Sequence, residues 1–416
     1  MSPLLTATLW IVALATILCI FIRPWHIPEW VFAVAGAGLL VAVGAIPIAD
    51  AYAALLRGAN VYAFLLGIVL LAEIARSERL FDYLAVYALR AARGSRKRLF
   101  GLIYGVGILV TALLSNDTTV VVLTPAVLAV LARTDLDPLP YLFACAFIAN
   151  AASFILPISN PANLVIFGHA LPALLPWLGS FGLAAVAAIA TTYIVLRLLF
   201  RKALGGAVVH ATPEHIGLDR RMRLAFASVG GATLILLLAA AFGLSVGPVA
   251  LLAALIALGI VTLVDHAAPI NITKHLAWQI VPLVAGLFIL VEGLDRSGAL
   301  TAAREVFAWS ASTPWPWGAL GLSGIITVAS NTLNNLPVGL AAGYALTGAH
   351  VSPHIAQAAV VAVDLGPNLS VTGSLATLLW LIILRRAKIN VTPWRFFRYG
   401  IAVTIPALLA AVLLLH

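Results

Sequence analysis

Charge is what this chain has least of. Asp, Glu, Lys and Arg together make up 9% of its 416 residues, against 63% hydrophobic. A soluble domain carries about 25% charged residues. A soluble fold of this composition could not cover its surface, and a mean hydropathy of +1.09 points to an integral membrane protein. Cysteine is nearly absent. Cys19 and Cys145 both lie in apolar runs and read as small hydrophobes in packed helices. That excludes a disulfide framework and a Cys/His metal site. The 9 histidines are scattered, without metal or catalytic spacing. Walker A, GxSxG and HExxH patterns are missing, so the chain reads as neither an ATPase nor a membrane hydrolase, and it calls for no cofactor. The net charge of +9 sits in loops between apolar runs, which topology explains better than nucleic-acid binding.

Two polar clusters interrupt this apolar background. Residues 114–125 carry Ser115, Asn116, Asp117, Thr118 and Thr119 in a row. Residues 328–337 carry Ser330, Asn331, Thr332, Asn334 and Asn335 in an equally oily setting. Such groups at membrane depth are costly unless something uses them. Each lies between apolar arms too short to span, so 100–131 and 317–346 read as re-entrant helical hairpins. Two further runs break at Pro157–Asn163 and at Asp364–Ser374, and read as discontinuous helices over 141–169 and 356–384.

The order of elements is the same in both halves: three spans, an amphipathic helix, a hairpin, a broken helix and a final span. Leu4–Ile22 reads as a retained first span, having no basic residue before it and no cleavage site after it. The amphipathic segments, 80–93 and 299–309, suit the interface plane. Residues 201–223 form the only long polar stretch and read as a cytoplasmic linker between 1–200 and 224–416. Each half crosses an odd number of times, so the second is inverted. The expected fold is an all-α polytopic membrane protein of two inverted repeats, with about ten full crossings plus the hairpins. With the linker in the cytoplasm, all but three of the 24 Lys and Arg fall inside, the exceptions being Arg57, Arg296 and Arg304. This is the positive-inside pattern, and it places both termini outside.

Inverted repeats with broken helices are the pattern of secondary transporters, with the site where the breaks meet. The candidate substrate ligands are Ser115, Asn116, Thr118, Asn160, Asn163, Ser330, Asn331, Thr332, Asn334, Asn335, Asn368, Ser370 and Thr372. They are amides and hydroxyls with no Lys or Arg among them, suiting a neutral polyhydroxyl solute or a desolvated cation. The bland reading is polar glue between helices, which symmetric clusters at chain breaks disfavour. Asp117 and Asp364 stand one per half, each at a break. A carboxyl at membrane depth without a cation favours its protonated form and so can carry a proton; the alternative is a helix cap or an ion pair. Glu73 and Glu292 lie at span ends near Arg76 and Arg296. For them an interfacial salt bridge is the favoured reading and proton relay the minor one. Asp50 and Asp265 read as loop residues.

The runs SNDTTVVVLTPAVLAV (115–130), ANAASFILPISNPANLVIFG (149–168), ASNTLNNLPVG (329–339) and DLGPNLSVTGSLATLLWL (364–381) resemble the arsenical pump membrane protein (ArsB) family. That family belongs to the ion-transporter superfamily, alongside the divalent-anion/sodium symporters. The likeness runs over nearly the whole chain, and the Asp-Leu-Gly-Pro run is its most specific part. It implies export of arsenite and antimonite in exchange for protons across a bacterial inner membrane, by elevator-like alternating access. In that mechanism the hairpins and broken helices form a mobile core. It also implies a place on the cytoplasmic face for a soluble arsenite-stimulated ATPase subunit. Arsenite near neutral pH is mostly an uncharged trihydroxide, which suits Asn, Ser and Thr ligands, while two cysteines exclude three-thiolate coordination. The related symporters tend to read Ser-Asn-Thr where this chain reads Ser115-Asn116-Asp117, a departure that favours proton over sodium coupling. The rival within transport is a sodium- or proton-coupled carrier of a small anion or silicic acid. The rival outside it is a receptor or assembly subunit, which leaves the paired polar breaks unexplained.

Overall fold

An apolar solvent offers nothing to hydrogen-bond a backbone, so membrane-spanning chains close those bonds within helices. In the computed structural model, which describes residues 3–168, 171–206, 217–265, 269–348 and 351–415, no strand occurs among the described residues. The first four helices are α1 (Pro3–Ile22), α2 (Glu29–Ala42), the short α3 (Ile48–Arg57) and α4 (Ala59–Ser77). Then come α5 (Leu80–Ala91) and α6 (Arg96–Leu113). The polar tip that follows starts α7 (Asn116–Thr118), which runs through a π-turn over Thr119–Leu123 into α8 (Thr124–Leu131). Next are α9 (Leu139–Ala151), α10 (Pro161–Phe167), the long α11 (Leu174–Leu199) and a turn, α12 (Arg201–Leu204). The second half holds α13 (Arg220–Ala241), α14 (Val246–Asp265), the short α15 (Ile270–Thr273), α16 (Ile280–Arg296) and α17 (Ala299–Ser312). It ends with α18 (Trp317–Leu333), α19 (Asn335–Gly348), α20 (Pro353–Leu365), α21 (Leu375–Arg386) and α22 (Pro393–Val412).

Five of these, α4, α11, α13, α14 and α22, are long and apolar enough to cross a bilayer. Other apolar helices are shorter, among them 29–42, 116–131 and 139–151. This is a multi-pass membrane protein. Part of the expected linker, 207–216, and the expected last residue of the first broken helix, His169, lie outside the described residues.

The structure refines several boundaries. Asp50 sits in the first turn of α3 and pairs with Arg296, so it is not a loop residue. Asp265 is the last residue of α14. The first break ends at Asn160, and α10 starts on Pro161, a position where the missing N–H costs nothing. The second break begins later than the sequence suggests. Asp364 belongs to the last turn of α20, and the chain unwinds after it through a 3₁₀ turn, Gly366–Leu369.

The helices pack as two groups. In one, α4 lies along α14, α2 along α16, α13 along α14, and α1 against α2 and α16. In the other, α6 packs on α9, α11 on α22, α18 on α20, and α10 on α19. The expected interfacial helices are clamps between them. A left-handed residue, Arg79 (φ 57°), turns the chain from α4 into α5, which packs on both arms of the first hairpin, α6 and α8. Gly298 (φ 82°) does the same between α16 and α17, which packs on α18 and α19.

Lipid chains give packing helices little hydrophobic drive, so close backbone approach matters more. Gly67 on α4 lies so near α14 that an added Cβ would meet the Ala250 carbonyl carbon at 2.4 Å. Gly105 on α6 has nothing within 4 Å of such a Cβ. Gly67→Val should therefore cost about 1–3 kcal/mol of stability through overpacking, lowering the melting temperature in detergent. Gly105→Ala should leave it unchanged or raise it. Equal melting of the two variants would contradict this packing.

Candidate transport site

Each interruption of the chain ends on a residue whose side chain caps the next helix, replacing hydrogen bonds lost with the previous turn. Ser115 Oγ accepts from the Thr118 amide (3.2 Å), and Asn160 Oδ1 from that of Ala162 (3.0 Å). Asn334 Oδ1 accepts from the Leu336 amide (3.2 Å), and Ser374 Oγ from that of Thr377 (3.2 Å). The backbone ties hairpin tips to breaks in the same way in both halves. Asn116 N donates to Ser159 O (3.2 Å), and Asn335 N to Gly373 O (3.0 Å).

The residues that open the four helices, Asn116, Pro161, Asn335 and Leu375, line one cavity of about 60 Å³. Asp117, Asn160 and Asn334 share its wall. The facing wall is Ile20, Glu29, Leu65, Ile280, Leu283 and Leu287 from α1, α2, α4 and α16. The cavity thus lies on the boundary between the two helix groups, with amides on one side and mostly apolar side chains on the other. No Lys or Arg lines it. Its size suits a few waters or a solute of a few heavy atoms, and the helix N-termini add partial positive charge.

A second cavity of about 650 Å³ adjoins it. Arg23, His26, Arg76 and His275 are among its lining, and so are Ser115, Asp117 and Thr118. Asp117, Glu29, Pro161 and Leu375 border both cavities. Glu29 pairs with Arg23 and Glu73 with Arg76 (2.7 Å to Nε). Asp117 makes no ion pair with a described residue.

Asp364 borders neither cavity. It is 0% exposed and joins the two broken helices, Asn160 Nδ2 donating to its Oδ1 (2.7 Å). A second buried bridge runs beside it. Asn150 Nδ2 on α9 donates to Asn368 Oδ1 (3.0 Å), and Asn368 Nδ2 donates to Phe147 O (2.9 Å). Asn163 Nδ2 is turned to Ser153 O (3.1 Å).

The remaining expected residues lie further out. Asn331 Nδ2 donates to Thr327 O (2.8 Å) and Gly366 O (2.9 Å), holding the end of α18 against the second break. Ser370 Oγ donates to Asn331 Oδ1 (2.6 Å), and Thr372 Oγ1 to Asn331 O (2.7 Å). Ser330 is buried in α18. Thr332 is exposed and bonds back to Val328 O (2.8 Å). Glu292 is paired with Arg57 and accepts from Tyr344 Oη (3.2 Å), far from both cavity linings. Sequence reasoning passed over Asn150, Ser153 and Glu29. A lone Asn in the apolar α9 was a readable signal; Glu29, at the head of a span, gave none. Asn368→Ala would strip both amide bonds and leave buried partners bare. The expected loss is about 1–3 kcal/mol, read as a lower melting temperature in detergent, with Thr332→Ala unchanged.

Residues 11–366 match the citrate transporter family, CitMHS. An arsenical pump membrane protein of Escherichia coli is 29% identical over 385 residues, 90% of either chain. Another, from strain K12, is 30% identical over 372 residues, 84% of either chain. The 46 kDa membrane protein of Mycobacterium leprae is 26% identical over 398 residues, 90% of either chain. The chain belongs to the family of the arsenical pump membrane proteins, and by its family match to the citrate transporters as well: it is a membrane transporter.

Proposed function

We propose that this chain exports arsenite and antimonite from the bacterial cytoplasm in exchange for protons, by alternating access. The observation that carries this reading is the small cavity. It is walled by Asn116, Asn160, Asn334 and Asn335, with the Asp117 carboxyl among them and no basic side chain. Amides bond hydroxyls as donor and acceptor alike, so an uncharged trihydroxide fits. A citrate-like anion would face the carboxyls of Asp117 and Glu29 there, which sets this site apart from a polycarboxylate carrier despite the family match. The relatives named as arsenical pumps agree with that choice. Asp117 and Asp364 are the proton carriers in this scheme, and Glu73 and Glu292 serve as ion-pair partners.

The helices carrying the hairpins and breaks form the moving core; α1–α4, α13, α14 and α16 are the scaffold. A solute bound on the boundary between them changes sides when one slides past the other. The halves, 1–200 and 224–416, are inverted repeats joined by a cytoplasmic linker. Matching corners at Arg79 and Gly298 and matching tip-to-break bonds support the pairing. Arg23 and Arg76 line the wide cavity, while Arg57, Arg296 and Arg304 pair with acidic residues elsewhere. The positive-inside rule then puts that cavity on the cytoplasmic side. A soluble arsenite-stimulated ATPase subunit has its place on the same face.

In inverted membrane vesicles holding this chain alone, an imposed proton gradient should drive arsenite accumulation equally with and without sodium. A sodium requirement would move the chain to the anion carriers. Asp117→Asn and Asp364→Asn should insert normally and accumulate no more arsenite than empty vesicles. Near-wild-type accumulation by both would remove the aspartates from the mechanism.

A further inference from the structure

The two carboxyls are not equivalent in space. Asp117 borders both cavities and Asp364 neither. One side chain joins Asp364 to the solute site. Asn160 lines the small cavity, accepts from Ala162 N through Oδ1 (3.0 Å), and donates through Nδ2 to Asp364 Oδ1 (2.7 Å). Its amide has one workable orientation. Flipped, its NH₂ would face the Ala162 N–H and its carbonyl would face a carboxylate. Both residues are sealed, Asn160 at 2% exposure and Asp364 at 0%. The Ser153 hydroxyl, which donates to Asn150 O, is the other polar group against this carboxyl; Oδ2 of Asp364 has no hydrogen-bond partner among the described residues, so a proton has an oxygen to occupy without displacing Asn160.

We propose that Asn160 is the positioning residue that couples proton occupancy of Asp364 to the solute cavity. With Asp364 charged, a charge-assisted hydrogen bond clamps Asn160, and with it the start of α10. With a proton on Oδ2 the same bond becomes a neutral and weaker one. The looser amide then lets Asn160 and Pro161, which borders both cavities, take a second position against the solute. Solute in the cavity reports back through the same amide, as linkage requires. This rests on the proton-exchange reading above.

The test uses the purified chain in liposomes and follows arsenite and protons together. If the wild-type chain moves no arsenite, or moves it without protons, the functional reading itself fails. If wild type exchanges the two, Asn160→Ser becomes decisive. Serine still caps α10 but has no amide to span to Asp364. The expected result is a fall in protons moved per arsenite of about tenfold, the scale of one charge-assisted bond. A slower rate at the wild-type ratio would mean that Asn160 only contacts solute, and would overturn the coupling role. Should Asn160→Ser carry nothing, the exchanged pair decides. Asp364→Asn alone should lose proton coupling. Adding Asn160→Asp puts the carboxyl at the other end of the same hydrogen bond, still accepting from Ala162 N, and should bring coupling back. A double variant as uncoupled as Asp364→Asn alone would sink the proposal.

Discussion

Everything in this structure depends on keeping backbone hydrogen bonds satisfied where no water is at hand. Unbroken helices do so unaided, and most of the chain is built from them. The chain gives up that security at the hairpin tips and breaks, and at each a Ser or Asn side chain takes over one of the free amides in the first turn of the next helix. The caps explain why the polar residues there are short, and why Asn and Ser dominate. Those side chains reach back to their own backbone, which longer ones do not. A transporter gains from the arrangement, because helix starts that would otherwise be buried in neighbouring helices are brought to one solute-sized space.

The placement of that space on the boundary between two helix groups matters as much as its lining. Were it inside one group, opening it would mean pulling a packed bundle apart. On the boundary, the amide wall belongs to one group and the mostly apolar wall to the other, as the proposed sliding of one past the other requires. Apart from Glu29, which is paired with Arg23, the facing wall of Leu65, Ile280, Leu283 and Leu287 offers no competing hydrogen bond to a hydroxyl. Inside the polar body, the Asn150–Asn368 and Asn160–Asp364 bridges tie the two broken helices together, so that both halves of the chain respond as one unit.

Much of this was legible beforehand because the signals are local. Short apolar arms around Ser115–Thr119 and Ser330–Asn335 read as hairpins and a Pro-Asn break in an apolar run as an unwound helix, and the helices do break at these places. What was not legible was the sorting of equals. Thirteen amides and hydroxyls looked alike as ligands, yet Asn331, Ser370 and Thr372 bond mainly to one another, and Thr332 faces outward. Asp117 and Asp364 looked like counterparts, yet only the first borders either of these two cavities.

The sequence by itself determined the solvent, most of the helices, the neighbourhoods of the breaks and the kind of side chain at them. Composition, period and capping are properties of a stretch of chain and need no partner to be read. Only the tertiary structure decided which breaks meet, that Asn160 stands between the buried Asp364 carboxyl and the small cavity, and that Glu292 bonds to Arg57 and Tyr344. Those choices join residues some 50 to 240 positions apart, and a contact across that distance is fixed by packing, which no local pattern encodes.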